Sequence, residues 1–310
     1  MKIQSCFDAL EKQNEEYMRL LNSSEMRIGK TIKVLSSLNF KHIYKCVVCT
    51  IVNTIRAKKI INNKIDNRPF FYAIGDPIEK GKKVAVYSCI TGGYDKIKNP
   101  VLVDNELDYF CVSDTPSSSD SVWKYIEIPN AAKEYKGGMI NRFCKLNPWH
   151  LFGNYDFSIY IDGNIDIVSD IRNLCSIAEK SKIGIAMHLH NNRDCVYKES
   201  AICKLYKKGN FPAIEKQMDD YRKIGFPEHF GMVEATIIIV DLHNEFAKKI
   251  MSDWWTELCR SGSARDQLSF PYILWKNGFK IDDVGCLGTC RTKNPKFRTR
   301  QHGLQILGNK

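Results

Sequence analysis

Short apolar runs rich in β-branched residues alternate with amphipathic stretches along most of this 310-residue chain, and that alternation narrows its fold more than any other feature. Residues 83–90, 107–114, 156–161, 183–187 and 233–241 have the length and composition of buried strands. Helical spacing falls between and after them, over 139–152, 213–224, 243–260 and a segment starting at Ser263. Strands alternating with helices predict a single α/β, Rossmann-like domain with a mostly parallel central sheet covered on both faces. In such folds ligands meet the carboxyl ends of the strands, which here lead into Gly92, Asp114, Asp162 and His188.

Ahead of this pattern lies a polar, helix-favouring start with Leu10, Tyr17, Leu20 and Leu21 on one stripe, and a linker is expected over 62–78, where Asn, Asp and Pro gather. Two units follow: a helical, basic extension over 1–70 for oligomerisation, as in a homodimer, or membrane-surface contact, and the main α/β domain over 80–310. The net charge of +11 is unevenly spread: no acidic residue falls between Lys30 and Lys64 or between Arg291 and Lys310. Such patches suggest anionic partners. Nucleic acid is not expected, because no helix-turn-helix, zinc-finger or aromatic RNA-binding pattern is present to read bases. Residues 43–55 are largely apolar and flanked by basic residues, yet too short for a bilayer span of about 20 residues. They suit an amphipathic helix lying on anionic lipid or, equally, one packed on the core. Twelve scattered cysteines and the lack of a signal peptide at Met1 predict reduced thiols and a cytoplasmic location, with peripheral contact at the inner face of a membrane. Cys46/Cys49 and Cys286/Cys290 lack the flanking turn chemistry of a shared zinc site.

The segment Ser158-Ile-Tyr-Ile-Asp-Gly-Asn-Ile-Asp-Ile167 ends a buried strand in Asp162-Gly163-Asn164. Two oxygen ligands separated by a glycine can face one hard cation, Mn²⁺ or Mg²⁺, holding it against a diphosphate; an ordinary Asp-Gly turn is the plainer alternative. Arg142 and Lys145, one helical turn apart, can grip phosphate oxygens or simply face solvent. Thr91-Gly92-Gly93-Tyr94 follows the first strand directly, so its backbone can approach a ligand closely.

Cys89-Ile-Thr-Gly-Gly-Tyr-Asp95, Tyr160-Ile-Asp-Gly-Asn164, Asn192-Arg-Asp-Cys-Val-Tyr-Lys-Glu199 and Gly262-Ser-Ala-Arg-Asp-Gln-Leu-Ser-Phe270 stand in that order between Lys83 and Lys280. Together they resemble a family once filed as a domain of unknown function and now described as glycosyltransferase-like, which includes plant mucilage-related and bacterial polysaccharide-locus proteins. The resemblance implies the A-type nucleotide-sugar transferase fold. It implies a metal held by Asp162 and Asn164, where Asn164 replaces the second aspartate of the general Asp-x-Asp pattern, with His302 as a late ligand. Thr91, Gly92, Gly93, Tyr94, Asp114, Arg142, Lys145 and Gly163 fall on the donor side. Asp266 is the expected general base at the start of a late helix, with Glu234 supporting the anomeric centre or lining the acceptor site. His188, Arg193, Glu199 and Gln267 are expected near the acceptor, although Arg193 and Glu199 can equally pair with each other.

The function these readings converge on is transfer of a sugar from a nucleotide-diphosphate donor to a glycan or lipid-linked acceptor in surface polysaccharide synthesis, such as capsule or lipopolysaccharide. The alternatives are a metal-dependent nucleotidyltransferase and a non-catalytic glycan-binding or assembly protein.

Overall fold

A computed structural model describes residues 2–21 and 69–300. Residues 43–55 and His302 lie outside the described residues, as does the Cys46/Cys49 pair. The chain opens with helix α1 (Lys2–Leu21) and resumes in strand β1 (Val84–Ile90), every residue of which is buried. β2 (Leu107–Ser113) and β3 (Lys124–Glu127) follow, then α2 (Gly138–Leu146), α3 (Trp149–Phe152), β4 (Phe157–Ile161) and the short β5 (Ile165–Ile167). After α4 (Cys175–Lys180) come β6 (Ile185–Leu189), α5 (Val196–Leu205) and α6 (Phe211–Lys223). β7 (Val233–Asp241), α7 (Glu245–Ser261), α8 (Asp266–Lys276), β8 (Gly285–Cys286) and β9 (Phe297–Thr299) complete the fold.

Seven strands form one sheet in the order β3-β2-β1-β4-β7-β6-β8. All neighbours run parallel except around β7, which is antiparallel to both β4 and β6. The chain winds outward from β1 to β3 and then returns to place β4 on the other side of β1, so a topological switch lies between those two strands. Loops diverge at such a point and leave a crevice at the carboxyl ends. Because β7 is reversed, it presents its amino-terminal residues, Glu234 to Thr236, at that same edge.

The two faces of the sheet bury separate cores. On one, Tyr87, Tyr160, Trp254 and Phe270 pack among the helices α5 to α8, and on the other Ile159, Ile161, Ile239 and Leu174 pack beneath α4. β5 and β9 pair outside the main sheet as an antiparallel ribbon.

Several elements depart from the periodicity in physically readable ways. The helix expected over 139–152 is two, because Pro148 lacks an N–H and pushes Asn147 out of helical geometry (φ −126°, ψ 55°). The last long helix starts at Asp266 rather than Ser263, since Gly262 and Ala264 both take left-handed conformations between α7 and α8 (φ 61° and 56°). α5 grows out of a mixed-charge segment, and β3 is an exposed edge strand of sequence Lys-Tyr-Ile-Glu, too polar to stand out.

α1 is docked against the body. Asn14, buried, donates from Nδ2 to the carbonyls of Pro295 (2.8 Å) and Phe297 (3.3 Å), and Glu11 pairs with the buried Lys296 at 2.6 Å. One face of α1 therefore covers the ribbon beside the Asp162 turn.

Candidate active site

The crevice at the switch point holds a cavity of about 310 Å³ whose lining is mostly polar. β4 delivers Asp162 and Asn164, α2 delivers Asn141, Arg142 and Lys145, and the start of α8 delivers Arg265, Asp266 and Gln267. Thr236 of β7, Lys208 and Arg291 close the remaining sides.

Asp162 leaves the sheet in a turn held from both sides. Its backbone N–H donates to the Thr236 carbonyl at 2.9 Å, and its Oδ1 accepts from the Tyr160 hydroxyl at 2.8 Å. Asn141 in turn donates from Nδ2 to that hydroxyl oxygen (2.9 Å) and to the Cys89 carbonyl (2.6 Å), tying α2 to β1 and to the turn. Gly163 is needed for packing: a Cβ there would lie 2.7 Å from Ile90 Cδ1 and 2.9 Å from Ile90 Cγ1. Arg300 clamps the far side of the turn. Its Nη2 donates to the Gly163 carbonyl (2.6 Å), its Nε to Asp166 Oδ1 (2.6 Å) and its backbone N–H to the Asn164 carbonyl (2.8 Å).

Lys145 and Asp266 form a buried ion pair at 2.6 Å, their side chains 5% and 8% exposed. The Lys145 ammonium also lies 5.2 Å from the centre of the Tyr160 ring. Burial alone would raise the Asp266 carboxyl, but the Lys145 ammonium and the Arg142 and Arg265 guanidiniums prevail and hold it well below the usual carboxylate range. Asp162, half-buried, shows the opposite balance: burial raises its carboxyl even though Lys145 and the Tyr160 hydroxyl pull it down. An anion left under-compensated at a turn beside a second oxygen-bearing side chain is suited to a cation.

The donor set fits a hard divalent metal. Asp162 offers a carboxylate, and the Asn164 amide is oriented because its Nδ2 donates to the Arg300 carbonyl at 3.2 Å. The cavity is also prepared for a polar ligand. Thr236 Oγ1 and Arg265 Nε are buried polar atoms with no hydrogen-bond partner among the described residues, and both residues line it.

Of the residues expected from sequence, Arg142, Lys145, Asp162, Asn164, Asp266 and Gln267 converge on this one cavity. Others lie around it. Gly92 and Gly93 take left-handed conformations (φ 64° and 62°), and the Gly92 N–H donates to Asp114 Oδ2 at 2.6 Å, so Asp114 braces the Thr91–Tyr94 loop; Tyr94 is exposed. Glu234 is taken up by Arg291 at 3.0 Å. Arg193 and Glu199 pair with each other, with His190 3.7 Å from Glu199. His188 departs from the expectation of an acceptor contact: it is fully buried, and its Nε2 meets Asn294 Nδ2 at 2.9 Å. Burial and the nearby Arg291 charge push its imidazole down to about 3, so it stays neutral within the core.

Sequence reasoning did not single out Asn141, Lys208, Thr236 or Arg291, and it gave Arg265 no role of its own. Only Asn141 and Arg265 carry a sequence signal, as neighbours of Arg142 and Asp266.

The site is also tied to the core. Trp254, fully buried, donates from Nε1 to the Asp266 backbone carbonyl at 2.8 Å. Trp254→Phe keeps an aromatic ring but removes this donor and some packing volume, and should cost about 2 kcal/mol. Urea denaturation checks this, and a loss under about 0.5 kcal/mol would show that the link between core and site is weak.

A family model described as "TOD1/MUCI70, glycosyltransferase-like domain" matches residues 110–285. Similar solved structures include the WbbM bifunctional glycosyltransferase in its apo form, at 13% identity and TM-score 0.40, covering 71% of this chain and 41% of that one. Mouse xyloside xylosyltransferase 1, apo form, is 9% identical at TM-score 0.38, covering 64% of this chain and 82% of that one. The S. cerevisiae mannosyltransferase Ktr4p is 14% identical at TM-score 0.34, with 73% and 75% covered. This chain thus spans less than half the length of the WbbM chain it matches. No curated protein matches the sequence.

Proposed function

Because the chain belongs to the TOD1/MUCI70 glycosyltransferase-like family, we propose that it transfers a sugar from a nucleotide-diphosphate donor to a glycan or lipid-linked acceptor in surface polysaccharide synthesis. The observation that carries this reading is the convergence of Asp162, Asn164, Arg142 and the Lys145–Asp266 pair on one polar cavity at the switch point of the sheet.

Asp162 and the Asn164 amide oxygen would hold Mn²⁺ or Mg²⁺. His302 is the third ligand in this reading. When bound, the metal supplies Lewis-acid neutralisation of the diphosphate. The chain's own cations do the rest. Lys145 is committed to Asp266, so the phosphate oxygens fall to Arg142, seconded by Arg265 and Lys208. The glycine loop Thr91–Tyr94, braced by Asp114, borders the nucleotide, and Gly163 lets the turn sit close against it.

Asp266 takes a revised role here. A carboxylate held well below its usual range accepts a proton weakly, so it serves poorly as a general base. Ionised and fixed by Lys145, it is better suited to accept hydrogen bonds from donor-sugar hydroxyls, with Gln267 beside it. Glu234 supports the site through Arg291, and the Arg193–Glu199 pair borders the acceptor side.

The test is a panel of nucleotide sugars incubated with the full-length protein and Mn²⁺ or Mg²⁺. Release of a nucleoside diphosphate, enhanced by the metal, is expected from one donor. Release of pyrophosphate would point to nucleotidyl transfer instead, and no turnover or binding of any donor would overturn the reading. Among the described residues no helix is long and apolar enough to cross a membrane. Peripheral attachment through residues 43–55 and homodimer formation are part of the proposal.

A further inference from the structure

Away from the cleft, a second group of side chains has the composition of a transition-metal site. Cys195, Glu228 and His229 each bring one ligand atom, and the three atoms lie within 4.8 Å of one another. They come from two loops already joined by backbone pairing. His190 N–H donates to the Met232 carbonyl at 2.9 Å and Gly231 N–H to the Asp194 carbonyl at 2.8 Å, so the loop leading into α5 runs beside the loop leading into β7. The Tyr197 hydroxyl adds a third tie, to the Phe226 carbonyl at 2.7 Å.

We propose that Cys195, Glu228 and His229 bind one zinc ion, with Asp194 orienting the imidazole, and that the ion ties these two loops together. His229 Nδ1 lies 2.8 Å and 2.9 Å from the two Asp194 carboxylate oxygens. A carboxylate on one ring nitrogen is the usual companion of an imidazole that ligates through the other, since it fixes the ring and raises its basicity. The His229 backbone is left-handed (φ 58°), unusual for a residue with a side chain, and its immediate neighbour Glu228 is the third ligand.

Cys195 is the N-cap residue of α5. It is buried, while Glu228 and His229 are exposed, so the ion would enter from solvent and cover the sulfur. Zinc bonds of about 2.0–2.3 Å place tetrahedral ligands about 3.3–3.7 Å apart, so the side chains need to close by roughly 1 Å. Binding releases the thiol proton to solvent. A thiolate also separates this site from the Asp162 turn, whose oxygen donors suit Mg²⁺ or Mn²⁺.

Full-length protein prepared without a polyhistidine tag, stripped of metal and titrated with Zn²⁺ against a chromogenic chelator, tests the assignment. The expected result is one tight equivalent that survives Asp162→Asn and weakens at least tenfold in both His229→Ala and Glu228→Gln, which change exposed side chains and should leave the fold intact. With Co²⁺ as the probe, a thiolate-to-metal charge-transfer band is expected in the wild type and absent in Cys195→Ser. Three results would overturn the proposal: no zinc bound by the wild type, undiminished affinity in His229→Ala and Glu228→Gln, or loss of the ion in Asp162→Asn alone.

Discussion

Asp162→Ala should lower the turnover of whichever donor the protein uses by at least about 10³-fold, the scale expected when a group stabilising a departing diphosphate is removed. The side chain has no stand-in. The Asn164 amide is a neutral ligand, and Asp266, the other carboxylate lining the cavity, is already bound to Lys145. The fold should survive the change, because the turn is also held by the Asp162 backbone N–H bond to Thr236 and by Arg300 on the Gly163 carbonyl. Steady-state kinetics with the donor found in the panel, alongside thermal unfolding of the same variant, separates the two effects. Unchanged kcat/KM in a folded Asp162→Ala protein would remove this carboxylate from the chemistry.

The second large effect is on stability. Lys145→Met leaves the Asp266 carboxylate buried without its partner, which typically costs about 3–5 kcal/mol. Arg142 and Arg265 still act on Asp266, so the lower end of that range is expected. Replacing both partners, as Lys145→Met with Asp266→Leu, should be less damaging than the single change, since no charge is then stranded. Urea titration of the single and double variants checks this, and simple additivity would show that the pair contributes no coupling.

The pH dependence follows from the same pair. The Asp266 carboxyl is lowered in the folded state, so its stabilisation is present in full above the unfolded carboxyl value of about 3.9 and fades as the pH falls below it. The wild type should therefore lose stability more steeply than the double variant between about pH 4 and pH 2.

Much of the framework could be read along the chain. The strand Val233–Asp241 appears with the ends its composition suggests, and the strands leading to Thr91, Asp114 and Asp162 all finish at one edge of the sheet. This succeeds because a strand buried on both faces must be apolar throughout, and because a turn leaving it needs glycine or a short polar residue. Where local pattern misled, a single local conflict was responsible, such as Pro148 inside a helical repeat or left-handed Ala264 before α8. The ribbon of β5 and β9 was beyond reach for another reason. Its strands are three residues each and far apart in sequence, too short to leave a period.

The charged residues divide along the same line. Asp162, Asn164 and Asp266 are conspicuous in sequence because each follows or opens a regular element, and Arg142 because it stands one helical turn before Lys145. Which charges neutralise one another was not legible: Lys145 looked like a phosphate ligand and is held by Asp266, 121 residues away, while Glu234 is taken up by Arg291. His188 stands at a strand end like the others, yet its side chain turns into the core toward Asn294.

By itself the sequence determined where the long buried strands of the sheet form and which residue types reach its carboxyl edge, because both depend on interactions within a few residues. Only the tertiary structure decided which carboxylate is paired, which stands under-compensated and which histidine is sealed off. Those outcomes depend on burial and on through-space distances of a few ångströms, which are set when segments a hundred residues apart pack together.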